Sequence, residues 1–157
     1  MSRVIRAGDT PATRRHAHRR SAAEALRLLA ERPALADGYF DPEARDLVAF
    51  LAVHLRGIGE TIEGSAQVWD DRNYGKKAEA LRDEYRWAPR TADDLEALVV
   101  AERWADVVPC LISLIPRFAD VTISTVTRDA DLWVGAYRAL VRRAAKAASA
   151  SASARSA

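Results

Sequence analysis

Cysteine is almost absent from this sequence. Cys110 is the only one among 157 residues, which excludes an internal disulfide framework and suits a reducing compartment. The longest apolar run, residues 107–115, is far shorter than the roughly 20 residues that cross a bilayer, so no transmembrane segment is predicted. The chain has only seven glycines, which excludes a collagen-like protein. Its hydrophobic residues make up 49% of the sequence, which excludes a wholly disordered chain. We therefore expect one soluble, cytoplasmic globular domain.

Motifs for catalysis and cofactor binding are also missing. No HExxH or CxxC occurs, and no histidine is placed to activate a serine, so no catalytic residue is predicted. Gly57, Gly59 and Gly64 do not form a dinucleotide fingerprint, because no strand precedes them. His54 borders an apolar helical stripe with no carboxylate three or four residues away, which indicates a partly buried packing histidine. We expect no cofactor.

Charge is present but unevenly distributed. Residues 1–20 carry a net charge of +5 and residues 142–157 carry +4, whereas residues 21–141 carry −7. The basic ends are interpreted as solvated tails, as arms that fold back on the acidic body, or as a binding site for nucleic acid. Residues 1–20 contain no aromatic side chain, so such binding would be to the backbone without sequence preference. Its candidate residues are Arg14, Arg15, Arg19 and Arg20.

Apolar residues recur mainly at helical spacing, which predicts an all-α fold. We expect a single helical bundle of five or six helices, including αα-hairpins, over residues 21–147. A disordered basic arm, residues 1–20, would precede it. A disordered tail rich in alanine and serine, residues 148–157, would follow it, because nothing there is large enough to bury.

Signals of helix ends locate the first helices. Ser21 followed by Glu24 has the spacing of a capping box and predicts a helix over residues 22–32. Asp41 before Pro42 predicts the start of a long helix, whose apolar stripe runs to about residue 69. A further helix is expected over residues 76–87, either as a continuation of the long helix in a single rod or as its antiparallel partner. Residues 70–75 combine Asp, Asn and Gly, which favour a turn, so the antiparallel hairpin is preferred.

Prolines limit the next helices. Pro89 is expected to end the helix over residues 76–87, and Thr91 to cap the helix after it. A proline in the interior of a helix removes a backbone hydrogen bond, whereas a proline in the first turn of a helix removes none, so Pro109 is expected in a first turn. This predicts a helix over residues 107–116 with Asp106 as its N-cap.

Residues 121–127 are rich in β-branched side chains and alternate like a strand, although no second strand is evident. Three interpretations follow, in order of preference: an extended connection, an edge that pairs with a second protomer, and a helix imposed by packing. The last helix is expected to start near Asp129.

Aromatic and basic residues are interleaved between Trp69 and Arg90. Most of these aromatics fall on the helical stripe and are expected in the core. Trp87 falls off the stripe beside two arginines, which suits an anchor for a partner, because Trp and Arg dominate binding hot spots. The predicted partner-binding residues are Trp87, Arg86, Arg90, Arg72, Lys76 and Lys77.

Four acidic residues offer an alternative. Glu60, Glu63, Glu79 and Asp83 could converge on a divalent cation across the expected hairpin. This arrangement resembles that of all-α nucleotide pyrophosphohydrolases, which implies magnesium and a phosphorylated substrate. The expected second E-x-x-D is absent, because Arg82 follows Glu79 by three residues.

The preferred function is therefore a non-enzymatic interaction module, a small subunit or adaptor. It would bind an acidic partner, a protein or a nucleic-acid backbone, through its basic ends and the surface from Trp69 to Arg90. A protein partner or a second copy of the chain is expected. The alternative is a small metal-dependent hydrolase of a phosphorylated compound, with the four carboxylates as ligands.

Overall fold

A computed structural model describes residues 8–156 of the protein. This part of the chain contains six α-helices and no β-strand, so the prediction of an all-α helical bundle is confirmed. The helices are α1 (Pro11–Ala30), α2 (Pro42–Asp71), α3 (Gly75–Tyr85), α4 (Trp87–Val100), α5 (Trp104–Leu114) and α6 (Ala136–Arg155). Short 3-10 helices span Pro33–Asp37, Ile115–Phe118 and Ala130–Leu132. Within residues 8–156, no helix combines the length and apolar content that crossing a bilayer requires.

Helix α2 forms the centre of the bundle. It begins as predicted, with Pro42 in the first turn and the carboxylate of Asp41 accepting a hydrogen bond from the amide of Ala44. Its 30 residues extend about 45 Å, and α1, α3, α4 and α6 all pack against it. Leu47, Leu51 and Leu55 are fully buried along this contact.

The turn after α2 is also as predicted. Helix α2 ends at Asp71, α3 begins at Gly75, and the two helices pack against each other. Asn73 adopts a left-handed conformation with φ of 62°, which asparagine tolerates better than most residues. The turn places one end of α3 beside the C-terminus of α2.

The start of α1 corrects the prediction of a disordered arm over residues 1–20. The side chain of Thr10 accepts a hydrogen bond from the amide of Thr13, and the helix runs from Pro11 onward. Residues 1–7 lie outside the described residues. Ser21 and Glu24 therefore do not form a capping box, since both are buried in the interior of a helix.

Helices α4 and α5 also begin earlier than predicted. Pro89 does not end a helix but lies in the first turn of α4, where its missing amide costs no hydrogen bond. Thr91 caps nothing, because its hydroxyl donates to the carbonyl oxygen of Trp87. Helix α5 starts at Trp104 rather than residue 107, so Asp106 is not its N-cap and Pro109 lies inside the helix.

The C-terminal part differs in two ways from the prediction. Asp129 does cap a helical turn, but this is the 3-10 helix Ala130–Leu132, and α6 begins only after Gly135. Asp46 of α2 accepts hydrogen bonds from the amides of Gly135 and Tyr137 and so holds the start of α6. Helix α6 continues to Arg155, so the alanine-rich tail predicted as disordered is helical. Alanine has the highest helix propensity of all residues.

Residues 121–129 form an extended connection, the first of the three interpretations. Helix α1 provides the hydrogen bonds that a neighbouring strand would otherwise make. Arg20 donates to the carbonyl oxygens of Thr122 and Thr125 at 3.2 and 2.7 Å, and Arg27 donates to that of Ile123 at 2.7 Å. These arginines therefore occupy three backbone carbonyl groups that a neighbouring strand would otherwise pair.

Glu24 binds the end of the same segment. Its carboxylate accepts hydrogen bonds from the amides of Thr127 and Arg128, from the hydroxyl of Thr127 and from Arg20. Burial alone would raise the pKa of Glu24, but these hydrogen bonds to Arg128, Arg20 and Thr127 outweigh it and lower the pKa. Glu24 is therefore charged in the folded protein at neutral pH.

Candidate interaction surface

The predicted nucleic-acid residues lie on α1, and three of the four contact the body of the protein. Arg15 donates to the hydroxyl of Ser65 at 2.9 Å and to Thr61. Arg19 forms two hydrogen bonds to the carboxylate of Asp120, at 2.8 and 2.7 Å, and Arg20 binds Glu24 and the extended segment. Arg14 is exposed and pairs with Asp9 at 2.7 Å. Their role in binding nucleic acid stays a prediction, although most of their donor groups bind within the protein.

Trp87 is the first residue of α4 and is half-buried. Its ring stacks on that of Tyr85, with centroids 6.4 Å apart, and meets Phe118 edge-on at 5.7 Å. The guanidinium of Arg117 lies 5.2 Å from the centre of the Trp87 ring. Trp87 therefore has one side in the core and another beside an exposed cation.

Arginines from α1 extend this arrangement into a continuous row. Arg15 lies over the ring of Tyr85 and Arg19 over that of Phe118, each 5.6 Å from the ring centre. The row joins α1, the junction of α3 and α4, and the 3-10 helix Ile115–Phe118. We call Trp87 and the exposed arginines around it, Arg86, Arg90 and Arg117, the Trp87 surface.

The predicted partner-binding residues separate into two groups. Arg86 and Arg90 flank Trp87, and Arg86 pairs with Asp83. Arg72, Lys76 and Lys77 lie at the opposite end of α3, roughly 15 Å away along the helix axis. Lys77 there lies 4.7 Å from the centre of the Trp69 ring. The structure thus does not join all six residues into one patch.

Arg82 lies at the place where the alternative function, a metal-dependent hydrolase, would require a metal ion. Arg82 donates to the carboxylates of Glu63, Asp70 and Glu79, each at 2.8 Å. The hydrogen bond from Arg82, and then its charge, lower the pKa of Glu63. Glu60 is not part of this cluster, and Asp83 pairs with Arg86 instead. In the described part of the chain, no group of three or more His, Cys, Asp or Glu is arranged to hold a metal ion.

His18 and His54 form a contact that the sequence did not indicate. Their Nδ1 atoms are 2.9 Å apart, so one neutral ring donates and the other accepts. His54 also packs edge-on against Phe50, as expected for a packing histidine. Burial, with the nearby charges of His18 and Arg128, lowers the pKa of His54 to about 4. A Cβ atom at Gly57 would lie 2.4 Å from the His18 ring, so only glycine leaves room for this pair.

Sequence reasoning also missed Arg117 and Phe118. They lie about 30 residues after Trp87 and reach it only through the 3-10 turn that follows α5. No local pattern in the sequence indicates that these two residues contact Trp87.

Comparisons with known proteins add nothing to this geometry: no protein-family model, no curated protein and no solved structure matches the chain.

Proposed function

We propose that the chain is a non-enzymatic interaction module that binds an acidic protein through the Trp87 surface. The observation that carries this proposal is the half-buried Trp87 ring with Arg117 against it and exposed Arg86 and Arg90 beside it. A rigid aromatic anchor surrounded by arginines is the composition of a binding hot spot. A second copy of the chain is a suitable partner, because residues 21–141 carry a net charge of −7.

The packing beneath Trp87 favours this surface over the basic arm at the N-terminus. Phe118 and Tyr85 hold the indole in one orientation, so little side-chain entropy is lost on binding. Arg15 and Arg19 are instead bound to α2 and to Asp120. Releasing them for a partner would break those hydrogen bonds.

The alternative of a metal-dependent hydrolase has weaker support. A divalent cation at Glu63 and Glu79 would have to displace Arg82, whose guanidinium already pairs with both carboxylates. We therefore do not propose it.

Labelled poly-L-glutamate, a model of an acidic protein surface, tests the proposal by fluorescence anisotropy at 50 mM salt. The triple variant Arg86→Ala/Arg90→Ala/Arg117→Ala should bind it at least tenfold more weakly, since each exposed charge contributes up to about 1 kcal/mol. A triple variant with three exposed basic residues of α6 replaced, Arg138→Ala/Arg142→Ala/Lys146→Ala, changes the net charge equally and should retain most of the affinity. Equal losses in the two variants would show that only net charge matters and would refute the proposal.

A further inference from the structure

Helix α6 has an unusual charge composition. Its 20 residues include five basic side chains, Arg138, Arg142, Arg143, Lys146 and Arg155, and no acidic one. Within residues 8–156, none of the five makes a hydrogen bond or an ion pair with another side chain. By contrast, the arginines of α1 mostly bind carboxylates or carbonyl oxygens of the protein. The basic groups of α6 are therefore available to an external anion.

Three of the five basic side chains of α6 and two of its serines line up on one face. At about 100° per residue, Arg138, Arg142, Lys146, Ser149 and Ser153 fall within about 80° of the helix circumference. We call these five residues the α6 stripe. All five are exposed, and the stripe is about 22 Å long.

The opposite face of α6 attaches it to the body. Leu140 is 2% exposed, and the ring of Tyr137 packs against Trp104 with centroids 5.7 Å apart. Both residues lie roughly 140–160° around the helix from the centre of the stripe. The fold thus anchors α6 by its first turns and directs the stripe to solvent.

The chemistry of the stripe favours one class of partner. Arginine, lysine and serine are among the side chains that donate to phosphate oxygens, and such contacts carry no sequence information. Beyond Val141 the helix has no large apolar or aromatic side chain, which an amphipathic membrane helix and a protein hot spot both need. Alanine and serine also keep the outer half of α6 narrow enough for the major groove, which is about 12 Å wide.

We propose that the α6 stripe binds the phosphate backbone of double-stranded DNA without sequence preference. Arg138, Arg142 and Lys146 follow one another by about 6 Å along the helix axis. Over the resulting 12 Å, a DNA duplex presents about seven phosphate charges, so each of the three cations has a phosphate within reach. This site is separate from the Trp87 surface, and the two proposals stand or fall independently.

A labelled 25-base-pair DNA duplex of mixed sequence tests the proposal by fluorescence anisotropy between 50 and 200 mM salt. Three phosphate contacts give a slope of about −2.7 for the logarithm of the association constant against that of the salt concentration. The variant Arg138→Ala/Arg142→Ala/Lys146→Ala should lose most of this slope and bind at least tenfold more weakly at 50 mM salt. The triple variant of the Trp87 surface, which loses the same charge, should bind DNA like the wild type.

Two single substitutions on the same helix separate the stripe from net charge. Ser149→Asp places an acid on the stripe and should weaken DNA binding at least threefold. Ser151→Asp places the same acid about 200° away from Ser149 and should leave binding unchanged. Circular dichroism checks that both variants keep the helicity of the wild type. Equal effects of the two substitutions, or no DNA binding by the wild type at 50 mM salt, would overturn the proposal.

Poly-L-glutamate in the same assay distinguishes the class of anion. If it bound with the affinity of the duplex and lost that affinity in the α6 triple variant, the stripe would belong to an acidic protein and the nucleic-acid proposal would be wrong. Retention of poly-L-glutamate binding in that variant, with loss of DNA binding, would support the assignment to the phosphate backbone.

Discussion

Replacing Glu24 by glutamine should destabilise the protein more than any other single change of charge described above. Glu24 is 1% exposed and holds the amides of Thr127 and Arg128 and the guanidinium of Arg20. Glutamine keeps the shape of the side chain but removes the charge. It also replaces one acceptor oxygen by an amide NH2 group, which would face the hydrogen-bond donors that the carboxylate accepts from.

The size of the effect follows from these contacts. A hydrogen bond to a charged group contributes about 1.5–3 kcal/mol, and removing one partner of a buried ion pair costs about 3–5 kcal/mol. Since glutamine retains one acceptor oxygen, we expect Glu24→Gln to lower the free energy of unfolding by about 3 kcal/mol. For a chain of 157 residues this corresponds to a fall in Tm of roughly 6–12 °C.

Urea unfolding at pH 7, followed by circular dichroism, measures this change. The matched control is Glu31→Gln at the C-terminal end of the same helix, where the carboxylate is exposed and pairs with Arg27 at 3.6 Å. That control should change the free energy of unfolding by less than about 0.5 kcal/mol. A loss in Glu24→Gln no greater than in the control would refute the role assigned to the Glu24 carboxylate.

Two further predictions concern the histidine pair between α1 and α2. Gly57→Ala should destabilise the protein by about 1–2 kcal/mol in thermal unfolding, because the added Cβ atom overlaps the His18 ring. The control Gly64→Ala should be neutral or stabilising, because the nearest atom to its Cβ is 3.8 Å away. Stabilisation by Gly57→Ala would contradict the close packing of Gly57 against His18. Since the pKa of His54 is about 4 in the folded protein, below its ordinary value of 6.5, the neutral ring contributes stability above pH 6.5 that is lost as the pH falls toward 4. Urea unfolding should show about 1 kcal/mol less stability from this group at pH 5.5 than at pH 7, and His54→Gln should reduce the measured difference by that amount. His18, whose pKa burial also lowers, keeps its own contribution. An unchanged pH dependence in the variant would assign it to other groups.

The sequence predicted the fold well where a helix boundary depends on residues that are adjacent in the chain. Asp41 and Pro42 indicated the start of α2, and the Asp and Asn residues after it indicated the turn to α3. Most residues of the predicted apolar stripe are among those that α2 buries, including Leu47, Leu51 and Leu55. These features depend on neighbours within four residues, which a single sequence displays directly.

The prediction of the fold failed where the decisive contact joins residues that are far apart in the sequence. The start of α1 was missed because residues 11–20 pack through long arginine stems and a histidine against Gly57, which leaves no apolar periodicity. Ser21 and Glu24 have the spacing of a capping box, but they bind residues more than 100 positions away. The Trp87 surface was predicted only in part for the same reason, since Arg117 reaches it through tertiary packing.

The hydrogen bonds between α1 and the extended segment also affect how the protein avoids aggregation. Residues 121–127 contain six β-branched side chains, no charge and no proline, which is the type of sequence that stacks into cross-β fibrils. Fibril growth requires free carbonyl and amide groups along the strand. Arg20 and Arg27 occupy three of those carbonyl oxygens, and Glu24 binds the amide of Thr127. Helix α1 therefore shields this segment, which has a fibril-prone composition, from other copies of the protein.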